Sequence, residues 1–186
     1  MKLLLHTCCA PCLIGTLQYI ADADFITADA QCAPLQITCY WLSPNIHPYT
    51  EYKSRLDALE NFTRDNNISL IIKDYYGLRE FTRSVINNLE NKCGTCYDWR
   101  LKMCAEFAAE NNFDTFSTAL LVSPYQNHEK IKEICEKYSR VYNVKFLYDD
   151  FRANFYAGQK QAREADIYMQ KYCGCIFSEE ERYLKK

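Results

Sequence analysis

Eleven cysteines occur among 186 residues, and most of them fall in three tight groups. "HTCCAPC" carries Cys8, Cys9 and Cys12, "CGTC" carries Cys93 and Cys96, and "YCGC" carries Cys173 and Cys175. Thiolates are soft ligands and strong nucleophiles, so such groups point to metal binding or redox chemistry. The cysteine count is odd, the chain is not small, and no export signal is convincing. That combination favours ligands or catalytic thiols over a structural disulfide framework. The remaining cysteines are scattered. Free cysteine packs as a small hydrophobe, so Cys39 within a strand and Cys104 and Cys135 on apolar helix faces read as core. Cys32 lies in a stretch that reads as an insertion.

Spacing separates the three groups. Cys93 and Cys96 sit at a helix start, one turn apart on one face, where both can reach one metal ion or cluster. The positive helix end is expected to stabilise their thiolates. Cys8 and Cys9 are adjacent and need a sharp strand-to-loop turn, for which Pro11 is a signal. Two such pairs supply four thiolates, which suit a zinc ion or an iron–sulfur cluster. A zinc ribbon holds its pairs about 15–20 residues apart. Here Cys9 and Cys93 are 84 positions apart, so the tertiary fold has to build the site. Cys173 and Cys175 would close only a small strained ring if oxidised, the kind that is labile or catalytic. A redox-active pair and ligands of a second metal both fit them.

The elements that must position these sulfurs alternate along the chain. Strand-like runs are "KLLLHTCC", "ITCYWLS", "ISLIIKDY", "FDTFSTALLVS" and "VKFLYDD". Helical patterns are "CLIGTLQYIAD", "YTEYKSRLDALENFTRDNN", "LREFTRSVINNLENK", "CGTCYDWRLKMCAEFAAENN" and "HEKIKEICEKYSRVY", with two charged helices around "YCGC". Residues 24–36 read as a loop or insertion. Alternation of this kind predicts one α/β domain over 1–186, a mostly parallel sheet with helices on both faces. Ligands of such sheets bind beyond the carboxyl ends of the strands. "HTCCAPC" ends the first strand and so falls on that edge.

Composition sets the remaining bounds. With 48% hydrophobic and 25% charged residues the chain is ordinary for a soluble globular protein. No apolar run reaches 18 residues, which predicts no transmembrane helix. "MKLLLHTCCAPCLIG" has the outline of a signal peptide, but His6, Thr7 and Pro11 interrupt it; a buried first strand of a cytoplasmic protein is the expectation. A net charge of −2 gives no overall pull toward nucleic acid. An RNA partner would need a local basic surface, and Lys160, Arg163, Lys171, Arg182, Lys185 and Lys186 are expected to supply it.

Taken in order, "LLLHTCCAPC", "PNIHPYTEYKSRL", "KCGTCYDWRL", "TALLVSPYQNHEKI" and "YCGCIFS" resemble the cobalamin-independent epoxyqueuosine reductases of the QueH type. The resemblance runs from residue 3 to about 178. It implies a Rossmann-like fold related to the nucleotide-binding HUP group and a 4Fe–4S cluster. The implied activity is reduction of the epoxide of epoxyqueuosine in tRNA to the cyclopentene of queuosine, the last step of queuosine biosynthesis. The implied partners are the tRNA anticodon loop bearing epoxyqueuosine and a small redox protein as electron donor. Carried over by position, the cluster ligands would be Cys8, Cys9, Cys93 and Cys96, and the redox-active pair Cys173 and Cys175. Two departures stand out: residues 24–36 are longer than the usual link, and Ser43 stands where a small polar residue such as Asn is expected.

Several assignments stay open at this stage. Cys12, Cys173 and Cys175 are left over once four ligands complete a cubane. They would hold a second, mononuclear iron with an open position for the epoxide oxygen, or the last two shuttle between dithiol and disulfide while Cys12 packs. A zinc-stabilised nucleic-acid-binding module without redox activity is the main alternative. ATP-dependent tRNA sulfur transfer on a similar fold would call for a Gly-rich phosphate loop after the first strand, and "HTCCAPC" has no glycine. His47 fits a substrate contact or proton donor, or a loop-ordering hydrogen bond. Arg100 fits a phosphate contact or a local carboxylate pair. Tyr125, Gln126 and His128 fit a pocket lining, although Ser123 and Pro124 as a helix cap is the favoured reading. The many tyrosines offer stacking surfaces for an unpaired base, with most expected at core edges.

Overall fold

Leu3, Leu4 and Leu5 are all fully buried, which a strand achieves only when both its faces are covered. They lie in β1 (Lys2–Thr7), at the centre of a five-stranded parallel sheet. The computed structural model describes residues 1–22 and 35–184. β1 pairs on one side with β2 (Gln36–Trp41) and on the other with β4 (Thr115–Thr118), with Leu3 opposite Ile37 and Thr115. β3 (Ser69–Ile72) and β5 (Lys145–Phe146) form the edges, giving the order β3-β2-β1-β4-β5. Among the described residues every pairing is parallel.

The connecting helices are α1 (Ala10–Asp22), α2 (Tyr49–Asp65), α3 (Leu78–Val85), α4 (Lys92–Glu110) and α5 (His128–Tyr142). α6 (Phe155–Glu164) and α7 (Ile176–Tyr183) follow the last strand. The chain steps outward from β1 to β3 through α1 and α2, then crosses back to β4 and β5 through α3, α4 and α5. Parallel crossovers are right-handed, so reversing direction moves the helices to the opposite face. Accordingly α1 packs on α6 and touches α2, whereas α4 packs on α5 and touches α3. The reversal leaves a crevice between the carboxyl ends of β1 and β4, the place where such sheets bind ligands.

Three expected elements come out shorter. β4 stops at Thr118, whose hydroxyl accepts the Leu120 N–H and bends the chain into a 3-10 turn, Ala119–Val122. β5 has only two residues. The helix expected over 78–92 ends at Val85, and the Asn88 side chain accepts the Asn91 N–H to start a separate turn, Leu89–Asn91. Nearly all of the stretch read as an insertion, with Cys32, lies outside the described residues. The thiols read as core, Cys39, Cys104 and Cys135, are fully buried.

Candidate active site

β1 ends at Thr7 and α1 begins at Ala10, so Cys8 and Cys9 form the two-residue turn between them and Cys12 lies on the first turn of the helix. The three thiols act on one another: Cys12 and Cys9 pull the Cys8 thiol well below its ordinary range, Cys8 and Cys9 push Cys12 up, and burial pushes Cys9 up. Cys93 and Cys96 occupy the first turn of α4, as the spacing predicts. Burial raises the Cys96 thiol to about 12, with Arg100 partly opposing, and partial desolvation raises that of Cys93, an exposed residue. Cys173 and Cys175 come from the link between α6 and α7. The Cys175 sulfur caps α7 by accepting the Ser178 N–H at 3.4 Å.

Cys8, Cys9, Cys12 and Cys173 line one cavity of about 320 Å³, together with Asn45, Arg55, Arg100 and Gln170. Cys96 and Cys175 lie behind it in a small apolar cluster with Phe81 and Val85. Two carboxamides donate to the sulfurs: Gln170 Nε2 to Cys9 Sγ at 3.1 Å, and Gln126 Nε2 to Cys173 Sγ at 3.6 Å. Gln126 Oε1 accepts from the Tyr97 hydroxyl at 2.8 Å, which fixes the amide orientation. Among the described residues, no three His, Cys, Asp or Glu side chains are arranged as ligands of one metal ion. This holds for Cys8, Cys9, Cys93 and Cys96 as much as for Cys12, Cys173 and Cys175.

The "YCGC" backbone is held by two residues of the "PNIHPYTEYKSRL" motif. Arg55, almost fully buried on α2, donates from Nη1 to the Cys173 carbonyl and from Nη2 to the Tyr172 carbonyl, both at 2.9 Å. Its Nε pairs with Glu51 Oε1 at 2.7 Å, and the Tyr168 hydroxyl donates to the other Glu51 oxygen. His47 resolves to the loop-ordering reading. Its Nε2–H donates to the Pro44 carbonyl at 3.1 Å, its Nδ1 accepts the Ile176 N–H at 3.3 Å, and its N–H bonds the Gly174 carbonyl at 2.7 Å. Burial pushes the ring down to about 4, which keeps it neutral. Gly174 has φ +147°, and a Cβ there would stand 3.2 Å from Ile46 and 3.4 Å from Arg55. The turn requires glycine.

Arg100 does not take the expected carboxylate pair. It is buried, it lines the cavity, and its Nη1 donates to Cys96 Sγ at 3.7 Å. Nε and Nη2 have no partner among the described residues. Burial works against its charge, but the sulfurs of Cys96 and Cys8 hold it protonated. Against the favoured reading, Tyr125 and Gln126 line the cavity, whereas His128 is buried against the Ser123 carbonyl and does not. The cap of α5 is Asn127, whose side chain accepts the Lys130 N–H, and not Ser123 or Pro124. Of the expected basic surface, Lys171 and Arg182 line the cavity. Lys160 pairs loosely with Glu164 at 3.8 Å, Arg163 bonds Gln159, and Lys185 and Lys186 lie outside the described residues. Arg55 and Gln170 were not singled out by the sequence. The Glu51–Arg55 spacing of i, i+4 was the one signal for the first, and nothing marked the second.

Comparison with known proteins fixes the family. The profile of the family described as Epoxyqueuosine reductase QueH matches residues 3–181. The chain belongs to this family. A relative named Epoxyqueuosine reductase QueH from Dehalococcoides mccartyi is 34% identical over 184 residues, covering 99% of this chain and 96% of the relative. Others of the same name are 33% identical in Streptococcus pyogenes (95% of this chain, 70% of the relative) and 30% in Thermotoga maritima (96% and 91%). Among solved structures, the U34-tRNA thiolase NcsA from Methanococcus maripaludis, with its 4Fe–4S cluster, aligns at a TM-score of 0.57 and 11% identity. That alignment covers 96% of this chain but only 61% of the thiolase, and it supports the Rossmann-like fold alone. No helix among the described residues is long and apolar enough to cross a membrane.

Proposed function

We propose that this protein reduces the epoxide of epoxyqueuosine in tRNA to the cyclopentene of queuosine, using a 4Fe–4S cluster held by Cys8, Cys9, Cys93 and Cys96. The observation that carries this reading is Arg100, a buried cation whose charged neighbours are sulfurs. A buried guanidinium needs fixed negative charge beside it, and metal-bound thiolates provide that charge. Four thiols are the donor number and softness that an iron–sulfur cluster takes, and Cys8, Cys9, Cys93 and Cys96 would hold it. When bound, the cluster supplies one-electron transfers.

The conversion breaks two C–O bonds, takes up two electrons and two protons, and releases the oxygen as water. The cavity at the switch point holds the reacting group away from bulk solvent. Arg100 offers N–H donors to the oxygen as it gains negative charge. Gln126 donates to the Cys173 sulfur, which leaves that S–H free to serve the cavity. Oxidation of Cys173 and Cys175 to a disulfide releases two electrons and two protons, the amounts the epoxide consumes. A small redox protein would restore the dithiol, and the setting would be the cytoplasm. The finer alternative, a mononuclear iron on Cys12, Cys173 and Cys175, calls for those sulfurs to regroup.

The test is anaerobic iron and sulfide analysis, paired with incubation of the reduced protein with an RNA hairpin carrying epoxyqueuosine and mass analysis of its nucleosides. A brown protein with about four irons that converts the epoxide to the alkene is expected. A fifth iron that disappears in a Cys173→Ser, Cys175→Ser variant would favour the second metal. A colourless zinc-loaded protein that binds RNA without converting it would overturn the reading in favour of a zinc module.

A further inference from the structure

Two tyrosine rings stand in solvent beside the sulfur-lined cavity. Tyr125 is 79% exposed and Tyr156 is 71% exposed, the two most exposed large apolar side chains among the described residues. Both pack edge-on against one buried ring, Phe155, at centroid distances of 5.7 and 5.2 Å. Tyr125 and Phe155 also line the cavity with Cys8, Cys9 and Cys173. The three rings thus form a ledge continuous with the site.

The ledge is firmly mounted. Ser123 Oγ accepts the Tyr125 N–H, and the Tyr97 hydroxyl accepts the Asn127 N–H two residues on. Phe155 and Tyr156 open α6, which is locked on α1 by a glycine contact: a Cβ on Gly158 would fall 2.5 Å from the Gly15 nitrogen. Rigid exposed aromatics of this size mark a contact surface, because ordering them costs little on binding. Charge identifies the partner. The cavity wall carries Lys171 and Arg182, with Arg100 and the Glu51-paired Arg55 deeper in, and no Asp or Glu lines it. Flat rings beside a wall of one positive sign match the base faces and phosphates of a single strand.

We propose that Tyr125 and Tyr156 form a stacking platform for unpaired bases flanking the nucleotide that enters the cavity. The chain then selects an opened loop over a duplex, since paired bases have no free faces to offer. The identity of the polymer as RNA rests on the function proposed above, but the readout does not depend on turnover.

The experiment measures anisotropy of a labelled RNA hairpin with an unpaired loop, and of a blunt duplex of equal length, with wild-type protein and Tyr125→Ala, Tyr156→Ala, Tyr125→Phe and Tyr156→Phe variants. Loss of one base stack corresponds to about tenfold in Kd. Each alanine variant should bind the hairpin about tenfold more weakly, and the double variant about a hundredfold, with circular dichroism unchanged. The phenylalanine variants should stay within about twofold, because the ring and not the hydroxyl does the stacking. The duplex should bind weakly and equally to all. A double variant with wild-type hairpin affinity overturns the platform, as does equal weakening for hairpin and duplex. A wild-type dimer that the alanine changes dissociate would assign the ledge to self-association instead. Hairpin selectivity in a protein that reduces nothing would leave the platform standing and remove the reductase reading.

Discussion

Cys96 and Cys104 lie eight residues apart on α4 and meet opposite surroundings. Cys96 sits in the first turn beside Arg100, near Cys173 and Cys175. Cys104 is fully buried in the main apolar core with Cys39 and Cys135. A helix leading back to a parallel strand starts at the carboxyl edge of the sheet and runs down its face. One helix therefore delivers a thiol to the site and, two turns later, another to the interior. Residue type alone does not bring a thiol to the site; height above the sheet does.

The sharpest way to break that contrast is substitution. Cys93→Ala and Cys96→Ala should each lose colour, iron and turnover together, read by anaerobic iron and sulfide analysis. Cys104→Ala should keep full iron content and lose only about 1 kcal/mol of stability, a small deletion in a packed core. Full iron and sulfide in Cys93→Ala would sink the ligand assignment.

A second contrast separates Arg55 from Arg64 on the same helix. Arg55 is almost fully buried and holds the "YCGC" backbone, whereas Arg64 pairs with Asp65 in solvent. Arg55→Met leaves Glu51 without its partner in the interior and should cost about 3–5 kcal/mol in chemical denaturation. Arg64→Met should change stability by less than about 0.5 kcal/mol. Comparable effects from both would mean that the turn is held by something other than Arg55.

The smallest expected effect concerns pH. His47 has an ordinary value of 6.5 and is pushed down to about 4 by burial. Its contribution is complete above pH 6.5 and is lost as pH falls toward 4, because only the unfolded ring takes up the proton in that window. At pH 5 the loss should be about 2 kcal/mol, read as a shift in denaturation midpoint. His6, held neutral at about 3 by burial and by the Arg100 charge, acts in the same direction. A His47→Gln variant should therefore keep part of the slope. A slope identical to wild type would contradict the buried neutral ring.

The alternation of strands and helices, the core thiols and the three sulfur groups were legible because each rests on local spacing. The shortened β4 was not, since Thr118 reads as one more β-branched residue until its hydroxyl is seen bonded to His6 and the Leu120 N–H. Arg100 was undecidable in one dimension: its partner is a sulfur, and the sequence offers only carboxylates and phosphates as usual counter-ions. Arg55 and Gln170 act on residues 118 and 161 positions away, and no local pattern reports such a contact. The burial that raises the Cys96 thiol was hidden for a related reason, because it comes from distant segments.

Residues 170–173 form one wall of the cavity, and Arg55 and His47 fasten the turn that follows from Tyr172. A chain under synthesis completes Cys8, Cys9, Cys93 and Cys96 well before it makes that wall. The interval from Cys96 to Cys173 spans 77 residues, about 4–15 seconds of translation. During it Cys8 and Cys9 lack the cover that Gln170 and the turn after it later provide, so the speed of translation across residues 97–173 sets how long that side of the cavity stands open.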